Sequence, residues 1–141
     1  MTDREGKAMI GMLIVTHCDL GKEFLNAAEF IVGRIDAADS ISIIQTSESK
    51  ALRDTIEKKI ADLDQGQGVL ILTDMFGGTP SNISLSFLSE ERVEVLTGVN
   101  LPMVIAIVQN RENMNLKAVA EKAKEAGNMG ISLAGKLLES Q

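Results

Sequence analysis

The sequence predicts an α/β fold: an open, doubly wound, mainly parallel sheet of four strands plus a short C-terminal edge strand, with helices on both faces. Two observations carry this. Short apolar runs such as G-V-L-I-L-T read as strands covered on both faces, as parallel strands are. Each run is followed by a short turn and then a stretch whose apolar residues recur at helical spacing.

The first strand covers residues 9 to 15, apolar except for Gly11. Asp19 is the expected N-cap of the first helix, in which Leu20, Phe24, Ala27, Ala28, Ile31 and Val32 recur until Gly33 ends the pattern. Ile41 to Thr46 is the second strand. Leu52, Ile56, Ile60 and Leu63 then mark one face of a charged helix from about Ser47 to Asp64, whose lysines and glutamates form a solvated face. Val69 to Thr73 is the third strand, ending at Asp74. In the loop M-F-G-G-T-P, Thr79 and Pro80 read as N-cap and first residue of a helix running to about Ser89. Val93 to Thr97 is the fourth strand, followed by G-V-N-L-P-M, an apolar helix from about Pro102 to Gln109 and a more polar one from about Asn115 to Gly127. The tail, Asn128 to Gln141, supports two readings: I-S-L-A as an edge strand or K-L-L-E as helix.

A chain of 141 residues can bury a core without metal or disulfide support, and one domain over residues 8–141 is expected after a polar extension at 1–7. Its net charge of -6, with a pI of about 4.8, argues against nucleic acid or an anionic membrane as partner. Aromatic residues, 3% and all Phe, offer no stacking platforms. One His and one Cys cannot complete a zinc site, so no metal or other cofactor is expected, and Cys18 reads as a small packed side chain. The seven Met residues show no sustained face and read as core filler or interface. Met9 to Val15 is too short to span a bilayer and the mixed charges before it do not make a signal peptide, which predicts a cytoplasmic location.

In open parallel sheets ligands gather beyond the carboxyl ends of the strands, where connections diverge to opposite faces. His17, the only histidine, lies at that end of the first strand and Asp74 at that end of the third. A carboxylate bonded to one ring nitrogen leaves the other as a nucleophile, able to accept a phosphoryl group. Gly77 and Gly78 permit close backbone approach, and the helix opening at Thr79 offers amide donors to an anion. Thr79, Ser81 and Thr16 are the candidate hydroxyl donors to phosphate oxygens. Taken singly, each has a plainer reading: a polar residue at an elbow, a turn cap, a helix start. Their shared place at one end of one sheet favours the chemical reading.

The segments I-V-T-H at 14–17, G-V-L-I-L-T-D-M-F-G-G-T-P-S-N at 68–82 and G-V-N-L-P-M at 98–103 resemble, in order and spacing, the mannose-family IIA domain of the bacterial sugar phosphotransferase system. The resemblance runs from about Met9 to Ala134 and implies a cytoplasmic phosphocarrier. Its histidine, here His17, would accept a phosphoryl group from phosphorylated HPr and pass it to a histidine of a IIB domain on a separate chain. That domain serves a membrane IIC/IID complex. Asp74 would orient the histidine and Thr79, where relatives often carry Ser, would meet the phosphate. The family is also described as dimeric with the last strand exchanged, which would place Gly130 to Ala134 on a partner's sheet.

Two departures, Cys18-Asp19-Leu20 after the histidine and Phe76 where relatives often carry Trp, lie near the docking surface and bear on partner identity. Alternatives that keep the same chemistry are a regulatory phosphohistidine domain and a phosphodonor to a dihydroxyacetone kinase. A receiver-like module phosphorylated on Asp74 is a different class, and would need an acidic pair after the first strand and a lysine on a late one. No lysine lies between Val93 and Arg111. Neither a G-x-G-x-x-G nor a P-loop follows the first strand, so no nucleotide site is expected.

Overall fold

The computed structural model describes residues 7–44 and 49–139. Strands β1 (Gly11–His17), β2 (Ala38–Ile43), β3 (Val69–Thr73) and β4 (Val93–Thr97) form one sheet in the order β2-β1-β3-β4, every neighbouring pair parallel. Helices α1 (Leu20–Val32), α2 (Ser49–Leu63) and α3 (Thr79–Leu85) join the strands in turn. α4 (Leu101–Asn110), α5 (Leu116–Met129) and α6 (Ala134–Glu139) follow β4. The polar extension up to residue 6, the expected end of the second strand at 45–46, the expected helix start at Ser47 and the last two residues lie outside the described residues.

Pleating sends successive side chains to opposite faces and so divides the core in two. Met12 and Ile14, with Leu70 and Leu72, pack against Ala28 of α1, Val104 and Ile107 of α4, and Val119 and Ala123 of α5. Leu13 and Val15, with Ile41, Ile43, Val69 and Ile71, pack against Ile56 of α2 and Ile83 of α3. Both faces of β1 and β3 are buried, and a one-residue slip would exchange their two sets of apolar contacts, so the register of the site-bearing strands is firmly set.

The amino ends of β1 and β2 are tied together by Arg111, the C-cap of α4, which is only 4% exposed. Its guanidinium donates to the carbonyls of Ile10, Ala37 and Asp36. Arg111→Met keeps the aliphatic stem but removes the donors, and is expected to lower the unfolding free energy by about 2–4 kcal/mol. A lowered urea midpoint at unchanged m-value checks this.

β3 and β4 have the boundaries read from the sequence, while β1 and β2 are displaced in opposite senses. β1 begins and ends two residues later than expected, so His17 closes the strand instead of following it. β2 begins at Ala38, three residues early. As an edge strand it tolerates polar residues, and Asp39 takes an ion pair from Lys59 of α2. α3 is shorter than expected: Gly78, in an extended conformation, is its N-cap, Thr79 its first residue and Ser86 its C-cap. The amides of Ser86, Phe87 and Leu88 bond carbonyls three residues back, and the Ser86 hydroxyl takes the Ile83 carbonyl, which closes the helix.

The expected C-terminal edge strand is absent among the described residues. Residues 131–133 carry no regular structure and Ala134–Glu139 is helical. A lone strand leaves its backbone groups unpaired, whereas the helix satisfies its own, beginning with Leu137 N–H to the Leu133 carbonyl.

Candidate active site

β1 and β3 are neighbours whose connections leave on opposite faces, α1 over Met12 and Ile14, α3 over Leu13 and Val15. The carboxyl ends of these two strands therefore form the switch point of the sheet. His17 ends β1 and Asp74 directly follows β3. Asp74 Oδ2 accepts the His17 backbone N–H at 2.9 Å and lies 2.8 Å from His17 Nδ1, while Oδ1 accepts the Met75 N–H at 3.0 Å. One carboxylate oxygen thus holds both the backbone and the ring of the same residue.

Burial pushes the Asp74 carboxyl upward, but the hydrogen bonds from the His17 backbone and ring, its charge and the Met75 amide outweigh this and hold it below its ordinary 3.8. An ionised carboxylate only accepts, so Nδ1 carries the proton and Nε2 the lone pair. The imidazole is 46% exposed and the aspartate side chain 14%. Nδ1 is held by the aspartate, and no hydrogen-bond partner is found for Nε2 among the described residues.

On the Cε1–Nε2 edge of the ring the backbone of Gly78 comes close. A Cβ there would lie 2.9 Å from His17 Cε1 and 3.4 Å from Nε2, so any side chain at position 78 would press on the ring. Gly77, at φ 92°, makes the turn that delivers Gly78. Thr79 is half-buried at the start of α3. With seven residues α3 has a small dipole, and its first-turn amides and the Thr79 side chain matter more than its length.

Two of the expected phosphate donors are buried. Thr16 is wholly buried, and its hydroxyl is committed: it accepts the Gly21 N–H at 2.9 Å and donates its one proton to the Cys18 carbonyl at 3.2 Å. Ser81 is wholly buried with its Oγ unpartnered. Both face inward because strand pleating and helix rotation, not side-chain type, set their directions.

Cys18, expected to be packed, is exposed. It adopts φ 50°, a left-handed conformation costing about 1 kcal/mol that swings its side chain out of the fold. The elbow is pinned to β2 by Cys18 N–H to the Ile43 carbonyl at 2.9 Å and by the Ser42 hydroxyl to Asp19 Oδ1 at 2.7 Å. Residues that build the site without any sequence signal are therefore Met75, Ile43 and Gly21, whose backbone groups do the bonding. Ser42 could have been suspected only as a polar residue on a strand.

Leu20, Ile44, Met75 and Phe76, each adjacent in the chain to the pair, its turn or the β2 end, are exposed large apolar residues. A polar pair among exposed apolar side chains suits contact with another protein surface. A cavity of about 670 Å³ opens instead at the amino ends of β3 and β4, lined by Gly66, Glu91, Glu94 and Lys117 among others, away from the imidazole. Among the described residues no group of three His, Cys, Asp or Glu side chains is arranged to hold a metal ion, and no helix is long and apolar enough to cross a membrane.

Residues 11–124 match the family model EIIA-man, described as the PTS system fructose IIA component. The fructose-specific EIIA component of Bacillus subtilis is 26% identical over 132 residues, covering 93% of this chain and 90% of that protein. The mannose-specific EIIAB component of Escherichia coli is 29% identical over 124 residues; the match takes in 86% of this chain but 38% of the relative. The crystal structure of a phosphotransferase system component EIIA from Streptococcus agalactiae superposes with a TM-score of 0.82 at 26% identity, covering 91% of this chain and 99% of that one. By sequence over most of its length and by fold, the chain belongs to the mannose- and fructose-type IIA family, the IIA components of the sugar phosphotransferase system.

Proposed function

We propose that this chain is a phosphocarrier that takes a phosphoryl group from phosphorylated HPr onto His17 Nε2 and passes it to a histidine of a IIB domain. The observation that carries this is the Nδ1–Asp74 contact at 2.8 Å, which leaves Nε2 of the 46%-exposed imidazole as the free nucleophile. The Nε2 lone pair attacks phosphorus, the P–N bond to HPr breaks, and its electron pair returns to the HPr ring. No proton is lost from His17, since Nδ1–H stays bonded to Asp74. The ring gains positive charge as it is phosphorylated, and the adjacent carboxylate offsets that charge. Gly77, Gly78 and the half-buried Thr79 are placed to receive the phosphoryl oxygens, the last through its hydroxyl.

Phosphorylation of Asp74 itself is disfavoured because both its oxygens are already hydrogen-bonded to His17 and Met75. The named relatives, specific for fructose and for mannose, support a role in the sugar phosphotransferase system; a cytoplasmic location and membrane components reached only through IIB belong to this reading. A homodimer exchanging the segment around Gly130 to Ala134 is part of the same reading. It is supported by the exposure of Ile131 and Leu133, at 77% and 75%.

Incubation with phosphorylated HPr is expected to place one phosphoryl group on the protein, acid-labile and base-stable, with nitrogen NMR shifts assigning it to Nε2 of His17. No transfer, or transfer to Nδ1 or to another residue, overturns the proposal. Gly78→Ala is expected to slow acceptance by about 10- to 100-fold, since its Cβ displaces the ring from its place. Stopped-flow transfer rates from phosphorylated HPr check this, alongside a melting curve showing that the fold is kept.

A further inference from the structure

Thr16 is the last wholly buried residue of β1, one position before the proposed phosphoryl acceptor. Its hydroxyl accepts the N–H of Gly21, the second residue of α1, an amide ordinarily taken by an N-cap side chain. Asp19, in the cap position, makes no such bond and accepts the Ser42 hydroxyl instead. The same Thr16 hydroxyl donates to the carbonyl of Cys18. The first turn of α1 packs hard on β1, with a Cβ at Gly21 only 2.9 Å from the Ile14 carbonyl oxygen. The hydroxyl therefore joins the turn after His17 to a part of the fold with little room to move.

We propose that Thr16 is a positioning residue for His17: by holding the Cys18 carbonyl and the Gly21 amide, its hydroxyl keeps the His17 backbone where one Asp74 oxygen receives both its N–H and its Nδ1–H. Because Oδ2 accepts both at 2.9 and 2.8 Å, a shift of the backbone lengthens the ring bond as well. Gly78 crowds the other side of the ring, so the imidazole has little slack in which to correct the error. The left-handed Cys18 adds to the need for a restraint, since the turn relaxes when released. Thr16 reaches no phosphoryl group, and its influence passes through His17. The kinetic consequence depends on the phosphocarrier reading; the effect on the ring does not.

The test compares Thr16→Val, Thr16→Ala and Thr16→Ser with the wild type by two measurements. The first is the rate of phosphorylation by phosphorylated HPr. The second is the NMR signature of the unphosphorylated His17 ring, its tautomer and the solvent exchange of Nδ1–H. The Val and Ala forms are expected to accept phosphoryl about 10- to 100-fold more slowly, with faster Nδ1–H exchange and a mixed tautomer. Ser, which keeps the hydroxyl, is expected to restore both to within about twofold. Val, buried against polar groups, is the variant at greater risk of misfolding, and Ala supplies the same loss of hydroxyl in less volume. A folded Val or Ala form with a wild-type ring signature overturns the assignment, as does a Ser form as impaired as Ala. If the wild type accepts no phosphoryl group, the phosphocarrier reading fails, while the ring signatures still decide the role of Thr16.

Discussion

His17→Ala is expected to abolish acceptance of phosphoryl groups, with labelling from phosphorylated HPr falling at least about 10⁴-fold, to background. His17 is the only imidazole in the chain, so no second one can substitute. The fold should survive. The side chain is 46% exposed, and the residue's backbone N–H still reaches Asp74, so the loss is one hydrogen bond to a charged group, about 1.5–3 kcal/mol. Urea unfolding establishes that the variant is folded, and radiolabelled phosphorylated HPr measures transfer. Retained label would assign the chemistry elsewhere, and its stability would say where: an acyl phosphate on Asp74 is cleaved by hydroxylamine, which leaves a phosphate ester on a serine or threonine intact.

Asp74→Asn is expected to slow transfer by about 10²- to 10⁴-fold while leaving a folded protein. The reason lies in the donors around the carboxylate: His17 supplies two to Oδ2 and Met75 one to Oδ1. An amide has one accepting and one donating end. With its oxygen toward His17, its NH₂ meets the Met75 N–H; turned over, it meets the His17 N–H and forces the proton onto Nε2. Either way a donor faces a donor, at about 1–3 kcal/mol, and the charge that offsets the phosphorylated ring is gone. Ring tautomer by NMR and transfer rates by stopped flow measure both effects. Wild-type rates would remove Asp74 from the mechanism.

The same substitution changes the pH dependence of stability. The Asp74 pKa is lowered in the folded state, so its contribution is complete above the ordinary 3.8 and is lost as pH falls through the lowered value. Asp64 behaves likewise: burial raises it, but the Gly66 and Gly68 amides and Arg92 hold it below 3.8. The wild type should therefore lose stability on acidification below that value, and Asp74→Asn should lose less across the same window.

The central strands were legible because burial on both faces leaves an unbroken apolar run, as Val69 to Thr73 shows. β2, at an edge, buries only Ile41 and Ile43 fully and starts with Ala38, Asp39 and Ser40, which no apolar pattern marks as strand. In the tail, I-S-L-A satisfies a strand pattern locally, but pairing needs a neighbour that sequence does not supply, and the segment leads into α6. The histidine, the aspartate and the glycine pair could be singled out because few residue types serve those places. Among the hydroxyls sequence offered no ranking of inside against outside. Thr16 and Ser81 look like donors as residue types, yet both are wholly buried.

What the sequence by itself determined is the alternation of apolar strands and amphipathic helices, and with it the convergence of His17 and Asp74 at one end of the sheet, since both follow from local periodicity and chain order. Only the tertiary structure decided that one Asp74 oxygen holds both backbone and ring of His17, that Gly78 closes on the Cε1–Nε2 edge of the ring, and that the Thr16 hydroxyl is spent within the turn. Hydrogen bonds made by backbone groups depend on distance and direction between segments far apart in the chain, and those quantities exist only once the chain is packed.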